Sequence, residues 1–313
     1  MFDVKKSVTE ITPQTVAWRR QIHTNPEVGF EEHKTAVLVE SVLRDAGIEV
    51  TRFPGSTAVL GVIKGAKPGR TIALRADMDA LPLQELADVE FKSQIPGVMH
   101  ACGHDVHTAI LMGAATVLAQ HKDELAGSIK LLFQPAEERF PGGALGMIDN
   151  GCMDGVERVF GLHVGNDMET GKLGVNHGYS HANCDMADIR IIGRGGHGAA
   201  PHKTVDAVVI ASQIVLALQT IVSRNVGPLD SAVISVGSIQ SGTIHNIIAE
   251  VADLKLTVRS LDPETRVLIK ERIEAIVKGI TEAMNATYEM EYVTGYPALG
   301  NNKEMANLFK EVG

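Results

Sequence analysis

HACGHDVH, residues 100–107, packs three histidines, one cysteine and one aspartate into eight positions. Cys102 and His104 are two apart, so in an extended or turn-like segment their side chains face one side and can converge on one ion. A thiolate beside an imidazole suits zinc or another late first-row divalent ion better than calcium or magnesium. The same octet would also fit a His-rich helix start with a buried free cysteine, so its flanks decide between the two.

Outward from the octet, residues 108–121 are rich in Ala, Ile, Leu and Val and predict a helix. Ahead of it, strands are expected at 49–53, 58–64 and 71–76, the last running into RADMDALP. Behind it, the apolar stretch 128–134 runs into PAEE, followed by a Gly-rich turn, a short helix at 144–150 and a strand at 158–163. Two helices, 15–23 and 31–46, precede all of these, joined by the turn-bearing NPEVGF. Alternating strands and helices predict an α/β layer architecture, in which ligands gather at strand ends.

The rhythm changes near Tyr179. Strands at 186–193, 231–239, 250–259 and 287–293 surround helices at 205–223 and 263–284, with GRGGHGAAPHK as a loop. Two strand-helix-strand halves of this kind fold into a four-stranded sheet with both helices on one face. The expected domains are therefore 1–179 and 180–290, with 291–313 beginning a return to the first and ending in a helix at 303–312.

Four strand or loop ends carry ligand-type residues: Asp77 and Asp79, Cys102 and His104, Glu137 and Glu138, and His163. Asp77 and Asp79 are spaced to point one way, whereas the adjacent Glu137 and Glu138 would point opposite ways in extended chain, one to a metal and one to a substrate. This number of ligands suits two ions with one group left free as a base, and so metal-dependent hydrolysis.

A net charge of -9 excludes the basic face that a nucleic-acid or anionic-membrane partner requires, leaving a small molecule or peptide. Three scattered cysteines imply no disulfide framework, and the start MFDVKKSVTEITP has no apolar leader, so a cytoplasmic protein is expected. The uncharged run 207–223 contains Gln213 and Gln219 and is read as a buried helix, not a membrane span.

RADMDALP, HACGHDVHTA, FQPAEE and GLHV, in this order, resemble the amidohydrolase branch of the aminoacylase and carboxypeptidase G type of dinuclear metallopeptidases. That branch includes hippurate hydrolase, N-acyl-amino-acid amidohydrolase and indole-acetyl-amino-acid hydrolase. WRRQIHTNPEVGFEEHKTA is similar too, and the likeness runs from about Trp18 to Leu299. It implies a zinc-peptidase-like catalytic domain, a mixed β-sheet flanked by helices, with an inserted α+β lid and dimerisation domain. It implies hydrolysis of the amide of an N-acyl amino acid by a homodimer with two divalent ions per subunit, zinc or manganese first, cobalt or nickel next.

By the same resemblance Cys102, His104, Glu138 and His163 would be metal ligands, Glu137 the general base and Asp79 a support behind the ligands. Asp77 stands where the family has a metal-binding histidine and is left without a role. Asp105 and His107 are expected to orient ligands. In the second domain His197 would reach the partner's site and stabilise the oxyanion, while Asn246 and Arg259 would hold the substrate carboxylate. The residues themselves show at 197 only a Gly-flanked histidine, and Arg259 would also serve as a strand-end arginine paired on the surface.

Family members normally return to the catalytic domain for roughly 70 to 80 residues more, bringing a further metal-binding histidine. GNNKEMANLFKEVG, the end of this chain, has none. The expectation is a truncated member, and the alternative to an enzyme is a binding protein that keeps the fold without turnover.

Overall fold

The computed structural model describes residues 2–313. It divides into two units, one running to Glu169 and the other from Thr170 to Gly313.

The first unit opens with helices α1 (Val4–Thr24) and α2 (His33–Asp45) and strands β1 (Glu49–Arg52), β2 (Val59–Lys64) and β3 (Lys67–Asp77). Helix α3 (His104–Gln120), strand β4 (Ala126–Gln134), helix α4 (Gly143–Asp149) and strand β5 (Val156–Gly161) follow. The sheet order is β1-β2-β4-β3-β5. The β1–β2 and β2–β4 pairs are antiparallel, while β4–β3 and β3–β5 are parallel. Parallel neighbours need a crossover, and α3 supplies it between β3 and β4. The C-terminal ends of three adjacent strands therefore lie side by side, with Asp77 opposite Gln134 and Arg75 opposite Gly161.

Both faces of this sheet are covered. Leu131 and Phe133 of β4 pack with Val39, Leu43, Ala109 and Met112 of the helices, while Leu132 turns to Met147 and Cys152. This is why LLF reads as an unbroken apolar run. Helix α1 begins eleven residues before the expected 15–23, its first turns being mostly exposed and interrupted by Pro13, which reads as a helix breaker. Helix α3 begins at His104 instead of 108. Gly103, at φ 89°, turns the chain straight into it, and a Cβ there would meet Val164 Cγ2 at 2.4 Å.

The second unit contains β6 (Gly178–His181), β7 (Asp185–Ile192), β8 (Gly196–His197), α5 (Ala207–Arg224), β9 (Ala232–Ser241), β10 (Ile247–Ile248) and β11 (Val251–Ser260). It ends with α6 (Pro263–Ala283), β12 (Thr287–Val293), β13 (Leu299–Asn301) and α7 (Lys303–Val312). Strands β12-β7-β11-β9 form an antiparallel sheet. Its alternating positions Ala187, Ile189, Ile191, Leu254 and Leu256 share one core with Ile210 and Ile214 of α5 and Ile269 and Ile273 of α6. The opposite face pairs charges across strands, Arg190 with Asp253 at 3.5 Å and Lys255 with Asp188 at 3.3 Å. Helix α5 is long and apolar enough to cross a membrane. Ile210, Ala211, Ile214, Leu218 and Ile221 bury its stripe in this core.

Two details depart from the expected boundaries. Strand β13 pairs with β6, and residues 291–313 group with the second unit, which starts at Thr170. Gly196–His197, expected in a loop, pairs with Ile247–Ile248 as a two-stranded ribbon. Pairings between such short, distant segments leave no periodicity to read.

Asp185 ties the second unit together from a fully buried position. Arg266 grips both its oxygens, the Tyr292 hydroxyl donates at 3.0 Å and the Gly295 N–H at 2.9 Å. Burial opposes the charge, but these donors hold the carboxyl below its ordinary 3.8. A depressed folded value gives stability that is present above pH 3.8 and lost as pH falls through the folded value. Asp185→Ala should cost about 3 kcal/mol at neutral pH. In urea melts, its deficit against the parent chain should shrink at pH 3 relative to pH 7.

Candidate metal centre

The first unit gathers its ligand-type residues at one edge of the sheet. Cys102 precedes the left-handed Gly103, His104 opens α3, Glu137 and Glu138 follow β4, and His163 lies two residues beyond β5. Ligand atoms of Cys102, His104 and His163 lie within 4.8 Å of one another, and so do those of His104, Glu137 and Glu138. Cys102 Sγ stands 3.3 Å from His163 Nε2. His104 belongs to both groups, which makes it the hinge of a single constellation.

Glu137 and Glu138 do not diverge as extended chain would send them. Ala136, at φ 50°, turns the backbone just before them, and both carboxylates reach His104. Cys102 and His104 converge through the tight turn at Gly103 and not through a strand.

Asp79 joins the two loops. Its Oδ1 accepts from His104 Nδ1 at 3.1 Å and its Oδ2 from the Glu138 N–H at 2.9 Å. Asp77 is held by Arg75 Nη1 at 2.6 Å and by His107 Nδ1 at 2.6 Å, and its carbonyl accepts from the Thr108 hydroxyl. His107 Nε2 in turn accepts the Val164 N–H at 2.9 Å, anchoring the residue after His163. His163 donates Nδ1–H to the Val164 carbonyl, which leaves Nε2 as the lone pair facing Cys102. Asp105 faces away from this group. Its Oδ2 takes His23 Nδ1 at 2.8 Å and Arg19 Nε at 2.7 Å, and His23 Nε2 donates to Glu85 at 3.1 Å.

The electrostatics of the group are those of a cation site. Burial pushes the Cys102 thiol up to about 12, reinforced by Glu138, Glu137 and Asp77, so the thiolate becomes favourable here only with a compensating positive charge. Burial works against the Asp79 charge, yet His104 and the Glu138 N–H hold it below the usual carboxylate range. Burial and the neighbouring Glu138 charge raise Glu137. The test of fit is His104, which is buried, gives Nδ1–H to Asp79, and makes no hydrogen bond through Nε2. Nε2 also lies 3.5 Å from Asp77 Oδ2, without hydrogen-bond geometry. A carboxylate behind one imidazole nitrogen and a free lone pair on the other is how metal-binding histidines are held. Cys102, His104, Glu138 and His163 thus fit divalent metal.

His197 is exposed on β8, where its Nδ1 accepts the Ala199 N–H at 3.0 Å. The Asn246 carbonyl accepts the Gly198 N–H at 2.9 Å, so the ribbon sets Asn246 beside the His197 strand. Arg259 is half-buried and gives Nη1 to the carbonyls of Asp185 and Val258. Nothing in the unit brings it to the ribbon. Arg75, His23, Arg19, Glu85 and Glu32 were not anticipated as part of the site. Four of the five lie within RADMD or WRRQIHTNPEVGFEE, where residue type and spacing alone assign them no partner.

Residues 73–313 match the profile of peptidase family M20/M25/M40. The chain belongs to this family. It is 47% identical over 303 residues to an N-acyl-L-amino acid amidohydrolase of Geobacillus stearothermophilus, covering 96% of this chain and 82% of that one. Hippurate hydrolase of Campylobacter jejuni is 45% identical over 299 residues, covering 94% and 76%. The solved Bacillus subtilis YxeP protein, described as a dinuclear metal-binding peptidase of family M20, superposes with a TM-score of 0.82 at 33% identity, covering 98% of this chain and 79% of that one. This M20 member is a hydrolase, and its family and the dinuclear neighbour support divalent metal.

Asp79→Asn removes one of the two acceptor oxygens that hold His104 and Glu138. Metal affinity should fall about 10- to 100-fold, as measured by chelator competition, with the thermal melt of the metal-free chain little changed.

Proposed function

We propose that this M20 member hydrolyses the amide bond of N-acyl amino acids with two divalent metal ions and Glu137 as general base. The observation that carries this reading is the half-buried Glu137, its carboxyl raised, set beside the Cys102, His104, Glu138 and His163 group. The similarity to an N-acyl-amino-acid amidohydrolase and a hippurate hydrolase supports the substrate class. The mixed sulfur, nitrogen and oxygen donors suit zinc or manganese best, with cobalt and nickel compatible. When bound, the metal supplies Lewis acidity, lowering the pKa of water and polarising the substrate carbonyl.

Glu137 then accepts the proton of the attacking water and returns it to the departing amine, so that the C–N bond is exchanged for C–O. A carboxyl raised toward neutrality suits both halves of that transfer. His197 Nδ1 already accepts the Ala199 N–H, so Nε2 carries the proton and is a donor for the oxyanion of a second copy's site. Asn246 and Arg259 would hold the substrate carboxylate, the guanidinium through its remaining N–H groups.

The homodimer would form through the second unit. There β9 is an edge strand with Val233 and Ile239 exposed, and the adjacent α5 exposes Val208, Val209 and Leu216. The three free cysteines suit a cytoplasmic setting.

Glu137→Gln should abolish turnover of hippurate and N-acetyl amino acids while metal content stays near that of the parent chain. A variant with full activity would exclude Glu137 as the base. Sedimentation velocity should show a dimer, and Leu216→Glu combined with Val233→Lys should shift it to monomer.

A further inference from the structure

The turn that presents Glu137 is strained and enclosed. Ala136, fully buried, sits at φ 50°, a left-handed conformation that residues with a Cβ adopt rarely and only when neighbours enforce it. What enforces it comes from residues 27–32, EVGFEE. Glu32 Oε1 accepts the Ala136 N–H at 2.7 Å, and its Oε2 accepts the Thr57 hydroxyl at 2.6 Å. Gly29 lies against the same turn, where a Cβ would meet Ala136 Cα and Cβ at 3.1 Å and Arg139 Cβ at 3.0 Å. Arg139 Nη1 donates back to the Gly29 carbonyl.

Glu32 occupies the N-cap position of α2 but does not cap it. Glu27 does so instead, accepting the Lys34 N–H at 3.0 Å and the Thr35 N–H at 2.9 Å. The Glu32 side chain is thereby released to point inward. It is a carboxylate with 0% exposure whose hydrogen-bond donors are the amides of Ala136 and of Glu32 itself and the Thr57 hydroxyl. Burial raises its pKa against the pull of those donors. A buried carboxylate without a cationic partner is a costly way to satisfy one amide, and helix capping does not require it here. The same strap reaches the other half of the site, because the Ala80 N–H, next to Asp79, donates to the Glu27 carbonyl at 2.8 Å.

We propose that Glu32 is a positioning residue that fixes the 135–138 turn, and through it the aim of Glu137 at the metal group. The proposal rests on Glu137 being the base. Glu32 hydrogen-bonds Thr57 and Ala136 and none of the ligand group, and acts through Ala136.

The test compares Glu32→Ala, Glu32→Gln and Glu137→Gln in the full chain. Gln keeps an acceptor for the Ala136 N–H, and its amide can donate to the Thr57 hydroxyl, so it should rescue what Ala loses. For Glu32→Ala, kcat on hippurate or N-acetyl-L-methionine should fall about 30-fold with KM within about threefold, the signature of a misplaced group. Bound metal should be retained. Hydrogen exchange of the 136–138 amides should accelerate while that of β2 and β4 stays unchanged, and Glu32→Gln should behave like the parent chain in every readout.

Unchanged exchange at 136–138 in Glu32→Ala, or a Glu32→Gln as impaired as Glu32→Ala, overturns the proposal. The exchange and metal readouts decide it whether or not either substrate is turned over. Full activity in Glu137→Gln instead overturns the base assignment alone, leaving exchange to judge Glu32. If Glu32→Ala does not fold, Gly29→Ala carries the test by pressing a Cβ on Ala136. Faster 136–138 exchange is then expected, and parent-like exchange overturns the proposal.

Discussion

The carboxylate of Asp79 is the point on which the site turns. One oxygen takes the His104 Nδ1–H and the other the Glu138 backbone N–H, in a pocket where water does not compete for either. In so enclosed a place a charge-assisted hydrogen bond is strong and directional. The first bond fixes the tautomer of His104 and leaves Nε2 as a lone pair. The second sets the height of the Glu137–Glu138 turn against the start of α3. A thiol, two imidazoles and two carboxylates from three separate segments acquire a common focus through these bonds.

Around Asp79 the remaining acids divide the labour by loop. Asp77, two residues earlier on β3, holds Arg75 and His107, and His107 carries the restraint on to Val164 and so to His163. Asp105 turns its back on the ligands and locks α3 to α1 through Arg19 and His23. His23 donates to a carboxylate from each ring nitrogen, and the Asp105 hydrogen bond, with help from Glu85, raises its pKa against burial. Glu32 supports the turn from below. Each carboxylate is enclosed, and each has found donors suited to its place, which is the condition for keeping charge in a protein interior.

The second unit shows the same economy with different parts. Its sheet is buried on one side only, so inward aliphatic residues alternate with outward charges that pair across strands. The buried exception is Asp185, which gathers Arg266, Tyr292 and the Gly295 N–H. That node secures the 294–296 segment after β12.

Much of this was legible in the sequence. The alternation of the second unit, the apolar LLF of β4 and the change of rhythm near Tyr179 all follow from burial on one face or two, which leaves a period in the chain. The residues of the metal group were legible as types, because thiol, imidazole and carboxylate at strand ends have few other uses together. Their aim was not. Glu137 and Glu138 would diverge in extended chain, and only the left-handed Ala136 turns them to one side. Asp105 reads as a neighbour of the ligands, yet α3 rotates it toward α1. The roles of Glu32, Arg19 and His23 came from partners 104, 86 and 82 residues away. Composition and periodicity report local burial, so they determined the layers and the inventory of donors. Which donor meets which acceptor depends on contacts between distant segments, and only the tertiary structure decides those.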